Sequence, residues 1–171
     1  FKNLQQEGIS SDKTFLVGDV MYDVALYFAE KAKRHSHILE RLDVQPQKYC
    51  LATVHRAKNT DNEERLRNIF ETLIHLSQKN IVVLPIHPRT RKALKNISYF
   101  KEIEKAVQVI EPVGYLDMIS LEKNAQIILT DSGGIQKEAY FLKVPCVVLR
   151  DETEWIELLE TGWNLLASPQ E

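Results

Sequence analysis

The sequence predicts an α/β fold, a Rossmann-like parallel sheet flanked by helices. Three observations carry this. Apolar runs of strand length recur along the chain, several of them apolar at nearly every position, as strands buried on both faces require. Helical stretches stand between them, so the units are right-handed βαβ crossovers. The polar and glycine-rich loops follow the strands, at the edge where such sheets bind ligands.

The elements follow in order. Residues 14–17 (Thr-Phe-Leu-Val), just before Gly18, read as a possible short strand, and 19–40 as one long helix. Residues 42–48, with Pro46, read as a connector. The main strands are expected at 49–53, 81–86, 107–110, 126–130 and 146–149. Residues 61–78 place Leu66, Ile69, Phe70, Leu73, Ile74 and Leu76 at helical spacing with charges between them. Further helices are expected at 89–96, 115–123, 134–142 and 154–160.

The 171 residues suit one domain, and 44% apolar content supports a sizeable core. A formal charge of -2, from 22 basic and 24 acidic residues, argues against a dedicated nucleic-acid or membrane-surface protein. No apolar run reaches membrane-spanning length and the first ten residues show no signal-peptide pattern. Cys50 and Cys146 lie inside apolar strand runs, with no disulfide framework, which fits a reducing cytoplasm. The chain opens on Phe1 in mid-pattern, which points to a piece of something longer.

The strongest local signal is the strand running into Thr130-Asp131-Ser132-Gly133-Gly134 and then a helix. The first amides of a helix are unpaired and its dipole favours an anion. Glycines remove the Cβ atoms that would hold a phosphate off the backbone. Ser132 adds a hydroxyl or caps the helix, and Ile135 three residues on supplies no capping box. Glu138, one turn in and on the face of Gly134, is a carboxylate placed to accept from ribose hydroxyls. The competing reading is a plain strand-to-helix turn.

Two further strands end in polar loops. One gives His55 and Arg56, a proton-transfer group and a forked anion donor. The other gives His87, Arg89, Arg91 and Lys92. Each loop alone fits an incidental surface turn; three together on one edge point to an anionic ligand. The basic loop also admits a nucleic-acid role, which the net charge and the lack of a stacking aromatic row oppose. A flavodoxin-type binding module would want acids at the strand ends, where only Asp131 stands. His35 and His37 have no dependable metal spacing and read as a solvated helix end, and His75 as packed or half-exposed near the apolar face of its helix, so no metal is expected.

The segments Gly18-Asp19, Ala52 to Arg56, His87-Pro88-Arg89, Leu129 to Ala139 and Leu149 to Glu154 together resemble the non-hydrolysing UDP-N-acetylglucosamine 2-epimerases. The resemblance implies one half of a two-domain architecture of the glycosyltransferase-B type. It makes residues 1–45 a linker and helix leading from an amino-terminal domain, and 46–171 the UDP-binding domain. It implies that Ser132, Gly133 and Gly134 hold the diphosphate, Glu138 the ribose, and Val113 and Met118 the uracil. His55 becomes the catalytic candidate beside the diphosphate; Arg56 and His87 match a second, regulatory UDP-sugar site of some bacterial members.

The implied reaction inverts C2 of the sugar by elimination and re-addition of UDP, with no cofactor, the C2 acid/base groups coming from the amino-terminal domain. The full-length protein would then be a cytoplasmic homodimer, and this chain alone would bind UDP without turnover. Trp155 stands where many members have an arginine, which opens the sugar to a UDP-diacetamido-uronic acid; a hydrolysing UDP-N-acetylglucosamine 2-epimerase is a further alternative, since it shares the motifs of this half. A glycosyltransferase of similar architecture would require an acceptor.

Overall fold

A computed structural model describes residues 2–169. Its strands are β1 (Tyr49–Thr53), β2 (Ile81–Pro85), β3 (Gln108–Ile110), β4 (Ile127–Thr130), β5 (Cys146–Val148) and β6 (Asn164–Leu166). They form one parallel sheet in the order β3-β2-β1-β4-β5-β6. The helices are α1 (Lys2–Gln6), α2 (Val20–His35), α3 (Ile38–Leu42), α4 (Ala57–Thr60), α5 (Glu63–Ser77), α6 (Pro88–Asn96), α7 (Phe100–Ala106), α8 (Tyr115–Asn124), α9 (Gly133–Phe141) and α10 (Ile156–Glu160). The strand order reverses direction between β1 and β4, the crevice where doubly wound sheets bind ligands.

The expectation of strands buried on both faces is met: all five residues of β1 are buried. Successive side chains point to opposite faces. Cys50 and Ala52 join Leu66, Phe70 and Leu73 of α5 on one face; Tyr49 and Leu51 join Leu121, Ile135 and Ala139 of α8 and α9 on the other. Phe70 and Leu73 are fully buried, and truncating either costs about 3 to 5 kcal/mol. A third contact, Ala25, Ala29 and Ala32 of α2 against Ile119, lets α2 approach α8 closely.

Several expectations need correction. Residues 14–17 form no strand. Phe15, Leu16 and Val17 are 78%, 88% and 89% exposed, and among the described residues no strand lies alongside to take up their amides. An apolar run without a pairing partner has no ladder to join. The helix expected over 19–40 is two helices. Asp19 caps α2 by accepting from the Met21 amide at 2.9 Å, and the chain turns extended at Ser36. Asp117 of α8 holds the break, accepting from Ser36 Oγ and from the Arg41 guanidinium, both at 2.6 Å. Strand β6 and helices α1, α4 and α7 add to the expected elements, and the last helix begins at Ile156 rather than Glu154. Among the described residues no helix is long and apolar enough to cross a membrane.

Candidate functional site

The loops after β1, β2, β4 and β5 meet at the carboxyl edge. Where β1 and β4 end side by side, the Thr53 and Thr130 hydroxyls bond each other at 2.6 Å, and Thr130 Oγ1 accepts from the Ser132 amide at 3.0 Å. The next residue, Asp131, is fully buried. Its carboxylate accepts from the His55 amide (3.0 Å), the Arg56 amide (2.9 Å) and Asn59 Nδ2 (3.0 Å). Buried lone pairs filled by donors cost little; the same atoms left unpaired cost several times more. Asp131 therefore fixes the loop after β1.

That loop presents its side chains to the crevice. His55 keeps Nδ1 3.6 Å from Asp131 Oδ1, and its side chain is partly exposed. Arg56 donates from Nε to the Asp131 carbonyl at 3.1 Å and from a terminal nitrogen to Glu154 Oε1 at 3.3 Å. The His87 ring lies 5.5 Å from that of His55 and is exposed. Its Nδ1 accepts from the Arg89 amide at 3.1 Å, which leaves Nε2 as the donor of the neutral ring. Arg89 is occupied by Thr60 and Asp61, at 2.8 and 2.5 Å. The hydrogen bond from Arg89, and then its charge, hold the Asp61 carboxyl below its ordinary range.

Helix α9 starts at the reversal point. Ser132 caps it through a long bond, 3.5 Å from the Ile135 amide to its hydroxyl. No hydrogen bond from the Gly133 or Gly134 amide to protein is found among the described residues. Gly133 lies under the loop that follows β5: an added Cβ would sit 2.6 Å from Glu154 Oε1 and 3.4 Å from Arg56 and Trp155 Nε1. The Trp155 indole N–H is buried without a partner among the described residues, and Lys137 Nζ lies 4.6 Å from its ring centre. Lys137 in turn pairs with Asp19 at 2.5 Å, and this lowers the proton affinity of Asp19.

Glu138 is half-buried, and its Oε1 accepts from the Tyr115 hydroxyl at 2.7 Å. Burial raises its proton affinity and the Tyr115 bond pulls the other way. Val113 and Met118, both half-buried, pack on the cluster that includes Ile135. His35, His37 and His75 are exposed.

The structure thus brings His55, His87, Arg56 and Gly133 together at the reversal point, with Glu138, Met118 and Val113 toward α8. Sequence reasoning missed Asp131 as the anchor, though an acid flanked by Thr130 and Ser132 at a strand end was a readable signal. It also missed Asn59 and Tyr115, which nothing local marks.

The UDP-N-acetylglucosamine 2-epimerase family model matches residues 1–171. The chain belongs to that family. A Methanococcus maripaludis protein named UDP-N-acetylglucosamine 2-epimerase homolog is 53% identical over 167 residues, covering 96% of this chain and 46% of the relative. A Pseudomonas aeruginosa UDP-2,3-diacetamido-2,3-dideoxy-D-glucuronate 2-epimerase is 46% identical over 168 residues, covering 96% and 45%. The Methanocaldococcus jannaschii UDP-GlcNAc 2-epimerase, solved in complex with UDP-GlcNAc and UDP, superposes with a TM-score of 0.88 at 44% identity, covering 98% of this chain and 48% of that one. The chain spans about half the length of these epimerase-family relatives.

Proposed function

We propose that this chain forms the UDP-binding half of a UDP-sugar 2-epimerase, cytoplasmic and homodimeric in its full-length form. One observation carries the reading: the Gly133 and Gly134 amides have no hydrogen-bond partner among the described residues, and α9 begins where the strand order reverses between β1 and β4. The Gly133 and Gly134 amides and the Ser132 hydroxyl hold the diphosphate. Glu138 accepts from the ribose hydroxyls, and Val113 and Met118 cover the uracil. A flexible thioether suits a flat ring.

In the proposed reaction the C2 proton leaves to a base on the other half of the protein. The C2–H electron pair forms the C1=C2 double bond as the C1–O bond breaks, and UDP departs with the C1–O electron pair. Re-addition to the glycal with protonation on the opposite face gives the C2 epimer, so UDP-N-acetylglucosamine and UDP-N-acetylmannosamine interconvert. Negative charge grows on the departing diphosphate, where the α9 amides, His55 and Arg56 converge. A single aimed donor of this kind contributes about 3 kcal/mol to such a step.

A second reading has a specific basis. Trp155 places a neutral indole N–H beside Gly133, and a relative 46% identical is named a diacetamido-glucuronate epimerase. That would make the sugar a UDP-diacetamido-uronic acid. Calorimetry with UDP, UDP-N-acetylglucosamine and a UDP-uronic acid, on wild type and Glu138→Ala, tests both. All three ligands are expected to lose about tenfold or more in the variant. Equal affinities in variant and wild type would remove the ribose from Glu138, and tighter binding of the uronic acid would select the second sugar.

A further inference from the structure

Behind Glu138 lies an acid that this reaction does not use. Glu122, on α8, is fully buried, and neither of its carboxyl oxygens has a hydrogen-bond partner among the described residues. It sits seven residues, two helical turns, after Tyr115, so both lie on one face of α8. Tyr115 bonds Glu138 on α9, which places this face against α9. The titratable groups acting with Glu122 are Glu138 from α9, Tyr115 from its own helix, Tyr49 from β1 and Cys146 from β5. No cation is among them, and the neighbouring Lys123 turns away to Glu30.

An ionised carboxylate in such a place is prohibitively costly, so the group takes a proton. Two nearby carboxyls cannot both ionise cheaply, and the proton goes to the site less able to bear charge. Glu138 has solvent and a phenolic donor; Glu122 has neither. Burial first, and the charge of Glu138 second, push Glu122 well above the ordinary carboxyl range.

We propose that Glu122 is a positioning residue that holds a proton beneath Glu138, so that Glu138 alone carries the pair's negative charge toward the ligand's ribose. This rests on the reading of Glu138 as the ribose acceptor. When Glu122 loses its proton, two charges meet an already anionic ligand, and binding weakens. Binding on the alkaline side is then linked to uptake of one proton.

The test is the pH profile of UDP-N-acetylglucosamine affinity, since the diphosphate of that diester does not titrate in the neutral range. Wild-type affinity should fall on the alkaline side, approaching about tenfold per pH unit for one linked proton. Glu122→Gln and Glu122→Met should both lose that limb, and calorimetry in buffers of different ionisation enthalpy should show their proton uptake gone. Identical profiles in wild type and the folded variants would overturn the proposal. Infrared spectroscopy of the unliganded protein gives a second readout. A protonated-carboxyl C=O band at neutral pH should be present in wild type and missing from Glu122→Gln. Its absence from wild type would overturn the proton on Glu122 whatever the ligand does. Failure of wild type to bind UDP-N-acetylglucosamine, with the band present, would instead sink the ribose reading and with it the ligand linkage.

Discussion

Asp131 and Glu122 are both acids with no exposed surface, yet their surroundings are opposite. Asp131 is met by two backbone amides and a side-chain amide, and it ties the loop after β1 to the start of α9. Glu122 meets no donor at all among the described residues. Burial by itself therefore says little about what an acid does. The neighbours decide whether it serves as a structural anchor or stays neutral at a cost.

The largest effect should come from unsettling the anchor. Asp131→Asn turns one acceptor into a donor facing other donors, and should cost about 3 kcal/mol or more in urea unfolding. It should also lower UDP affinity, because His55 and Arg56 lose their fixed backbone. A stability change under about 1 kcal/mol would break the contrast with Glu122.

Glu122→Gln should do the reverse. Wild-type Glu122 keeps its proton in the folded state and loses it on unfolding once the pH passes the ordinary value of 4.5. The unfolded state therefore binds fewer protons, and wild-type stability should fall as pH rises above that value, by at most about 1.4 kcal/mol per pH unit. The penalty levels off above the folded-state value. Unfolding free energies measured at several pH values should show the variant gaining on wild type toward neutral pH and the two converging in acid.

The smallest effect belongs to a solvated acid. Glu63 pairs with Arg67 one turn on, at 3.0 Å, and both are substantially exposed. Glu63→Gln should shift stability by only about 0.5 kcal/mol, less in high salt. A larger loss would mean that burial is a poor divider among these acids.

Much of this was legible in the sequence, for one physical reason. Strands buried on both faces must be apolar throughout, so β1, β2 and β4 announce themselves, and the loops after them mark the ligand edge. β6 escaped because it is short and opens on Asn164, a polar residue buried through its bond to the Gln136 carbonyl. Helix α7 escaped because only Phe100 and Ile103 of its seven residues are buried. Residues 15–17 misled because hydropathy does not report whether a pairing strand is nearby. Within the candidate site, chain-local cues marked Ser132, Gly133, Gly134 and His55 as candidates. Tyr115 meets Glu138 only through the packing of α8 on α9, across a separation of 23 residues that no short-range pattern encodes.

The two thiols hold a practical consequence. Cys50 and Cys146 sit in the sheet, and burial pushes the Cys146 thiol up to about 12. Alkylating reagents attack only thiolates they can reach. Their capture of these two side chains would time the opening of the central strands, a built-in clock for measuring how often the domain breathes.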